Sequence, residues 1–156
     1  MQRPQQAELI ADLGRDLIEV LPDPQFGGLL VRGGGPDVRH RCSDIEQLEN
    51  VTALDLVDSQ LDDEGFRKLC QLHQLRYLRF TGSNVSAKGL AHAKNWKRLQ
   101  EVEIQVLPVR GLLSPFSSLP QLEKLTVVGC DLNEVDLECL ENCRTLRDIC
   151  LSKNPI

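Results

Sequence analysis

Few side chains in this sequence are of the types that do chemistry, and they are scattered along the chain. The histidines are His40, His73 and His92, and the cysteines are Cys42, Cys70, Cys130, Cys139, Cys143 and Cys150. Cys139 and Cys143 have three residues between them, a spacing that lacks the closely paired cysteines of a zinc site. Neither Gly-x-Ser-x-Gly, His-Glu-x-x-His nor a P-loop motif occurs. We therefore expect no catalytic residue, no metal ion and no cofactor, and a protein that is not an enzyme.

Two other short runs invite a chemical interpretation. Asp62-Asp63-Glu64 is acidic, but it stands where a helix is predicted to begin and where carboxylates favour the helix dipole. Gly33-Gly34-Gly35-Pro36 is rich in glycine, yet no Gly-Lys-Ser/Thr follows and no helix is predicted to start directly after it. Neither run predicts an active site or a phosphate site.

Composition narrows the class of partner. The chain has 156 residues, enough for one domain with a sizeable core, and its formal net charge is -5. This charge argues against nucleic acid and anionic membranes as partners. No window approaches the roughly 18 apolar residues of a membrane span. The first residues are polar, and without a secretion signal reduced cysteines are the default, so we expect a soluble, cytoplasmic protein.

An internal repeat is the strongest pattern in the sequence. When the chain is shifted by 24 positions, Leu48 falls on Leu72, and the apolar positions that follow it also fall on one another. The first copy carries Leu48, Val51, Leu54, Leu56, Ser59 and Leu61. Further copies begin at Leu72, Trp96, Leu119 and Cys143, and the copy at Trp96 is weaker and one residue short. Leu54 and Leu56 flank Asp55 with the period of a strand, and Asp62, Ser86 and Asn133 stand at one repeat position as helix N-caps.

This pattern resembles the leucine-rich-repeat family, whose core is L-x-x-L-x-L-x-x-N-x-L and which here runs from Val51 to Leu61. The units are similar to the 24-residue repeats of bacterial members. The resemblance covers residues 48 to 156. It implies an α/β, right-handed solenoid with a parallel sheet on the concave face and helices on the convex face. Independently of the resemblance, the residue after each strand can satisfy backbone groups of the turn, at Ser59, Ser83, Cys130 and Asn154.

We predict one domain over 1–156. Its parts are an N-terminal helical cap (1–24), a degenerate first repeat (25–47), repeats at 48–71, 72–95, 96–118 and 119–142, and a shortened last repeat (143–156). Apolar spacing predicts an amphipathic helix over 5–21, which Pro22 and Pro24 end. Leu29 and Val31 are predicted to be a first strand, aligned with Leu54 and Leu56. In repeat 96–118, Leu107 replaces the polar residue, and Pro108 and Pro115 predict an irregular or 3₁₀ convex segment. Two interpretations explain why this unit departs from the pattern. The repeat has decayed locally, or the chain has a kink that serves binding.

Residues between the inward strand positions line the concave face, because successive side chains of a strand alternate between faces. The candidate protein-binding residues are Asp55, Tyr77, Arg79, Glu101, Glu103, Lys124 and Asp148. Arg79 is predicted to lie between Asp55 and Glu103. These charges either pair across the strands or, with Tyr77, form recognition anchors for a partner. Trp96 is predicted to be buried core.

The sequence thus favours a non-catalytic scaffold that binds a protein of unknown identity through the concave strands. The alternative is a structural module that self-associates as a homodimer through the open C-terminal edge strand. A fragment of a longer repeat array is a further interpretation.

Overall fold

The computed structural model describes residues 3–107 and 111–156, which form an α/β fold with one open, mostly parallel, seven-stranded sheet. In chain order across the sheet, the strands are β1 (Glu19–Pro22), β2 (Leu29–Gly34), β3 (Val51–Val57), β4 (Tyr77–Thr81), β5 (Glu101–Gln105), β6 (Lys124–Val128) and β7 (Asp148–Cys150). The helices are α1 (Arg3–Arg15), α2 (Asp37–Ile45), α3 (Asp63–Leu69), α4 (Ala87–Leu90), α5 (Ser114–Ser117) and α6 (Glu134–Glu138), with 3₁₀ turns at Ala91–Asn95 and Cys139–Asn142. None of the described helices has the length and apolar character needed to cross a bilayer.

The pairing of β3 to β7 follows the offsets that the sequence pattern predicts. Leu54 pairs with Leu78 and Leu78 with Val102. Val102 pairs with Leu125, and Leu125 with Ile149. These residues share one face of the sheet, and all but Ile149, on the last strand, are buried in a continuous core. Burying an aliphatic side chain of this size contributes about 1.5–3 kcal/mol, so this row is a main source of stability.

Aromatic side chains join the helices to the same face of the sheet. The Phe66 ring on α3 lies 5.7 Å from the ring of Phe80 on β4 and 5.3 Å from that of Trp96. Trp96 is fully buried, as predicted, and its indole N–H donates to the Leu69 carbonyl at 3.3 Å. The helices therefore lie on one face of the sheet, and no described helix covers the other, which we call the open face.

The predicted N-caps are confirmed. Asp62 accepts a hydrogen bond from the Gly65 N–H at 2.8 Å, and Ser86 accepts one from the Lys88 N–H at 3.2 Å. Asn133 forms a capping box with Asp136. The Asn133 side chain accepts from the Asp136 N–H, and the Asp136 carboxylate accepts from the Asn133 N–H. Each cap satisfies a donor that the first turn of a helix leaves free.

The N-terminal helix is shorter than predicted, because α1 ends at Arg15 rather than continuing to 21. Leu17 adopts a left-handed conformation (φ 57°), and the Ile18 N–H donates back to the Leu13 carbonyl at 3.2 Å. This pattern is a Schellman motif, and the buried contact partners Leu13 and Ile18 stabilise it. The chain then enters β1, which pairs antiparallel with β2, so residues 19–22 of the predicted helical cap are strand.

The first parallel strand exists, but its predicted register was wrong by two residues. Val31, rather than Leu29, pairs with Leu54, and Gly33 pairs with Leu56. A side chain at Gly33 would press on Val38 and Ile18, at 3.0 Å and 3.3 Å, so helix packing excludes one there. The register also changes by one residue at a bulge between Leu29 and Leu30.

Unit 96–118 is only partly described. Leu107 is buried, and Pro115 stands in the first turn of α5, a short α-helical turn rather than the predicted irregular or 3₁₀ segment. A proline is tolerated there because the first N–H groups of a helix have no internal partner. Pro108 of this unit, like residues 1 and 2 of the predicted cap, lies outside the described residues.

The predicted polar turn positions differ in what they bond. The Asn154 amide accepts from the N–H groups of Cys130 (2.8 Å) and Leu132 (3.3 Å) and donates to the Val127 carbonyl (2.9 Å). In contrast, the buried hydroxyl groups of Ser59 and Ser83 make no hydrogen bond within the described chain. The prediction holds for Asn154 and is wrong for the two serines, whose shorter side chains reach no backbone group of the neighbouring turn.

We expect Asn154→Ala to lower the free energy of unfolding by about 2 kcal/mol, because several backbone groups lose their partner. Ser59→Ala serves as the matched control. It should leave stability unchanged or raise it, since the hydroxyl it removes is buried without a partner. Urea denaturation of both variants checks this, and equal losses would contradict the difference in bonding.

Each parallel strand from β3 onward is followed by a residue in the left-handed region. These residues are Asp58, Gly82, Val106, Gly129 and Lys153, with φ between 48° and 62°. Gly82 and Gly129 adopt this conformation without strain. Val106 is β-branched and 64% exposed, so it carries a backbone cost with no burial to offset it.

Val106→Gly should therefore raise the free energy of unfolding by about 1 kcal/mol, because the strain of a left-handed β-branched residue is removed. Gly82→Ala is the reverse experiment. It should destabilise the protein, since an added Cβ would clash with the Asp58 carboxylate. Thermal and urea unfolding measure both changes, and a loss of stability in Val106→Gly would show that the valine side chain makes compensating contacts.

Candidate functional site

The candidate residues all lie on the open face, in the rows that the sequence predicts. One row runs Ala53, Tyr77, Glu101, Lys124 and Asp148 across β3 to β7. The next runs Asp55, Arg79, Glu103, Thr126 and Cys150. All seven predicted residues are therefore brought together on a single surface.

The second row is a chain of alternating charges. Arg79 Nη1 lies 3.6 Å from Asp55 Oδ1, and Arg79 Nε lies 3.5 Å from Glu103 Oε1. Arg32 of β2 extends the row, with its Nε 3.3 Å from Asp55 Oδ2. Partly exposed pairs of this kind contribute at most about 1 kcal/mol each. Arg79 is thus placed as predicted and is engaged by its own sheet, which favours cross-strand pairing over a recognition anchor.

Sequence reasoning did not select Arg32. The expected register, two residues off, kept it on the same face of the sheet but placed it opposite Val57 rather than Asp55. With Val31 aligned on Leu54, Arg32 pairs with Asp55 and points to the open face. Leu30, Val31 and Arg32 alternate between the faces in the ordinary way. The signal was therefore present in the sequence, but the glycines at the inward positions that follow obscured it.

The hairpin loop between β1 and β2, residues 23–28, lies against the open face and was also not predicted. The buried Asp23 holds the loop together, since its Oδ1 accepts from the N–H groups of Gln25 (2.9 Å) and Phe26 (3.2 Å). Its Oδ2 accepts from the Thr52 hydroxyl of β3 at 2.6 Å. The available signal was the run Pro22-Asp23-Pro24 followed by Gly27-Gly28, whose residue types are those of a tight turn.

Two side chains of the hairpin loop reach further strands. Gln25 donates from Nε2 to Glu101 Oε1 at 2.6 Å, so the loop touches β5. The guanidinium of Arg76, the residue before β4, lies 5.7 Å from the centre of the Phe26 ring, in a cation–π arrangement. The loop thus crosses the amino-terminal ends of β3, β4 and β5.

Tyr77 lies half-buried at the edge of this loop. A pocket of about 190 Å³ separates it from the loop, with Phe26, Ala53 and Asp55 among its walls. Burial, together with the carboxylates of Glu103 and Asp55, raises the pKa of Tyr77 to about 12, against a smaller opposing effect of Arg79. The phenol is therefore neutral at physiological pH, in a site of negative potential.

The carboxyl-terminal half of the open face is different. Lys124 and Asp148 are neighbours across β6 and β7, both are exposed, and neither forms an ion pair within the described residues. No loop among the described residues covers them. The side chains that remain available to a partner are thus on β6 and β7.

The three buried thiols are not activated. Burial raises the pKa of Cys42 to about 12 and also raises the pKa of Cys70 and Cys130. A thiol must lose its proton to act as a nucleophile, so these three are inert at neutral pH. Among residues 3–107 and 111–156, no three His, Cys, Asp or Glu side chains converge on a point where a metal ion would sit.

Comparison with known proteins gives no further assignment. No protein-family model matches the chain, and no curated protein matches its sequence.

The single tyrosine makes its ionisation measurable. We expect Tyr77 to titrate near pH 12 in the folded protein and near pH 10 in the denatured chain, when followed by tyrosinate absorbance. Because the unfolded chain releases this proton first, stability should fall between about pH 10 and pH 12. Asp23→Ala, which frees the hairpin loop, should lower the Tyr77 pKa. A midpoint that stays near 12 in that variant would show that the loop is not what buries the phenol.

Proposed function

We propose that the chain is a leucine-rich-repeat solenoid that binds a protein partner through the open face, the concave side of such a solenoid, and that it has no catalytic role. The observation that carries the proposal is a sheet face that no described helix covers. Parallel sheets normally have both faces covered by helices. Here one face of β3 to β7 carries charged and polar side chains and no described helix. Solenoid repeats use such surfaces for binding.

The strand offsets support the repeat interpretation. Residues that pair on successive strands stand 24, 24, 23 and 24 positions apart, from Leu54 through Leu78, Val102 and Leu125 to Ile149. The left-handed residues after the strands recur at the same offsets, from Asp58 to Lys153. Such offsets are expected if one unit of strand, turn and helix is repeated along the chain.

The partner, in this proposal, is a protein rather than nucleic acid or a membrane. The net charge of -5 opposes binding to phosphate backbones and anionic lipids. The alternating row of Arg32, Asp55, Arg79 and Glu103 balances its own charges, so it offers no dominant positive surface. All six cysteines are free, which suits a reducing compartment such as the cytoplasm.

Affinity capture with mass spectrometry tests the proposal, with a charge-swapped variant of the exposed pair. Lys124→Glu combined with Asp148→Lys should abolish partner binding, because both charges that face the partner are reversed. The net charge of the two side chains is unchanged. Arg79 is unsuitable for this purpose, since its removal leaves Asp55 and Glu103 uncompensated.

A matched control swaps a pair on the helical side. Glu64 and Arg67 of α3 are ion-paired at 2.6 Å and exposed, so Glu64→Arg with Arg67→Glu makes the same kind of double swap away from the open face. Partner capture should survive it. Loss of capture in both double variants, or in neither, would remove the open face as the binding site. Recovery of the chain alone would favour self-association through β7.

A further inference from the structure

A second surface feature lies at the carboxyl ends of β2 and β3, beside the open face. It is a groove of about 580 Å³, within the size range of binding clefts. The glycines at 33–35 are part of its lining, and strand pairing alone does not explain why glycine occupies these positions. Leu17 and Val57 provide its apolar walls.

Leu17 is the most unusual residue of the groove. Its side chain is 82% exposed, and its backbone is in the left-handed conformation that ends α1. Glycine is the usual residue at this position of a helix end, because it adopts the conformation without strain. The leucine side chain therefore costs stability and buries nothing in the fold. Val57, 38% exposed at the end of β3, adds a second apolar surface to the same groove.

The glycine run leaves backbone exposed between these walls. A Cβ at Gly34 would lie 2.8 Å from the Val57 carbonyl oxygen, and Gly35 has φ 72°, so side chains are excluded from both positions. Glycines in such a place allow another chain to approach the backbone closely.

The charge of the groove is negative. Glu19 and Asp58 line it, both are exposed, and neither takes part in an ion pair within the described chain. The one cation in the lining, Arg32, is already held by Asp55 at 3.3 Å. Two carboxylates are therefore free to meet a positive group.

We propose that this groove binds an extended, basic segment of a protein partner. An aliphatic side chain of the segment packs against Leu17 and Val57, and a lysine or arginine beside it pairs with Glu19 or Asp58. The inference rests on the proposed function, because the groove would be a second contact of the same protein partner, at the β2 and β3 end of the open face.

The apolar half of the proposal is tested with a fluorescent, capped peptide of alternating lysine and leucine, whose binding is followed by anisotropy. Leu17→Gly should weaken binding about tenfold or more, because the buried leucine contact is lost. The same variant should melt at a higher temperature, since its strain is relieved. Val106→Gly is the matched control, as it relieves the same kind of strain outside the groove and should leave binding unchanged.

The electrostatic half uses isosteric neutral variants. Glu19→Gln with Asp58→Asn should weaken binding and flatten its dependence on salt concentration. Asparagine tolerates the left-handed backbone of Asp58, so the fold is kept. Asp131→Asn is the control, because Asp131 is also an exposed, left-handed aspartate but lies outside the groove.

Binding that survives Leu17→Gly overturns the proposal, as does equal binding of a peptide with glutamate in place of lysine. Failure of the peptide to bind the wild type also overturns it. These outcomes are separable from the proposed function, since partner capture that depends on Lys124 and Asp148 would stand in every one of them.

Discussion

The structure depends on the pairing of parallel strands at a constant offset of about one repeat. Leu54, Leu78, Val102 and Leu125 stack because each strand pairs in register with the one before it. A shift of one residue would turn every one of these side chains to the open face and bring the charged row into the core. The aliphatic stack therefore fixes the register, and the register in turn places Asp55, Arg79 and Glu103 side by side. The charged surface is a consequence of the core rather than an independent feature.

The same offset requires a similar backbone conformation in the turn after each parallel strand. The chain must turn away from the sheet after each parallel strand, and a left-handed residue follows each of β3 to β7. Glycine meets this demand at positions 82 and 129, and Asp58 meets it as a residue type that tolerates the conformation. Val106 does not fit it. The polar position that follows is equally uneven, since the Asn154 amide bonds the preceding turn while the Ser59 hydroxyl has no hydrogen-bond partner in the described part of the chain. The turns are thus where local sequence and repeat geometry disagree, and stability can be gained there.

From residue 48 onward, the sequence was sufficient to predict the strands, their register and the residues of the open face, because one period governs the whole stretch. The N-terminal part could not be predicted in the same way. There β1 pairs antiparallel with β2, and Gly33 stands where the period calls for an apolar side chain, so the pattern that carries the prediction is broken. Ile18 has helical spacing from Ile10, and Leu21 has it from Leu13, yet the left-handed Leu17 ends the helix before them. The hairpin loop depends on contacts between Asp23 and Thr52, 29 positions apart, which no local pattern reports.

This N-terminal part divides the open face into two regions. On β3 to β5 the polar groups find partners within the chain, since Asp55, Arg79 and Glu103 pair with one another and Glu101 accepts from Gln25. A partner binding there would have to displace interactions that already exist and desolvate charges that are already compensated. On β6 and β7, Lys124 and Asp148 form no ion pair within the described residues that a partner would have to displace. Complementary charges on a partner would therefore gain most at the carboxyl-terminal strands, and the paired row would act mainly to hold the sheet surface in a fixed arrangement.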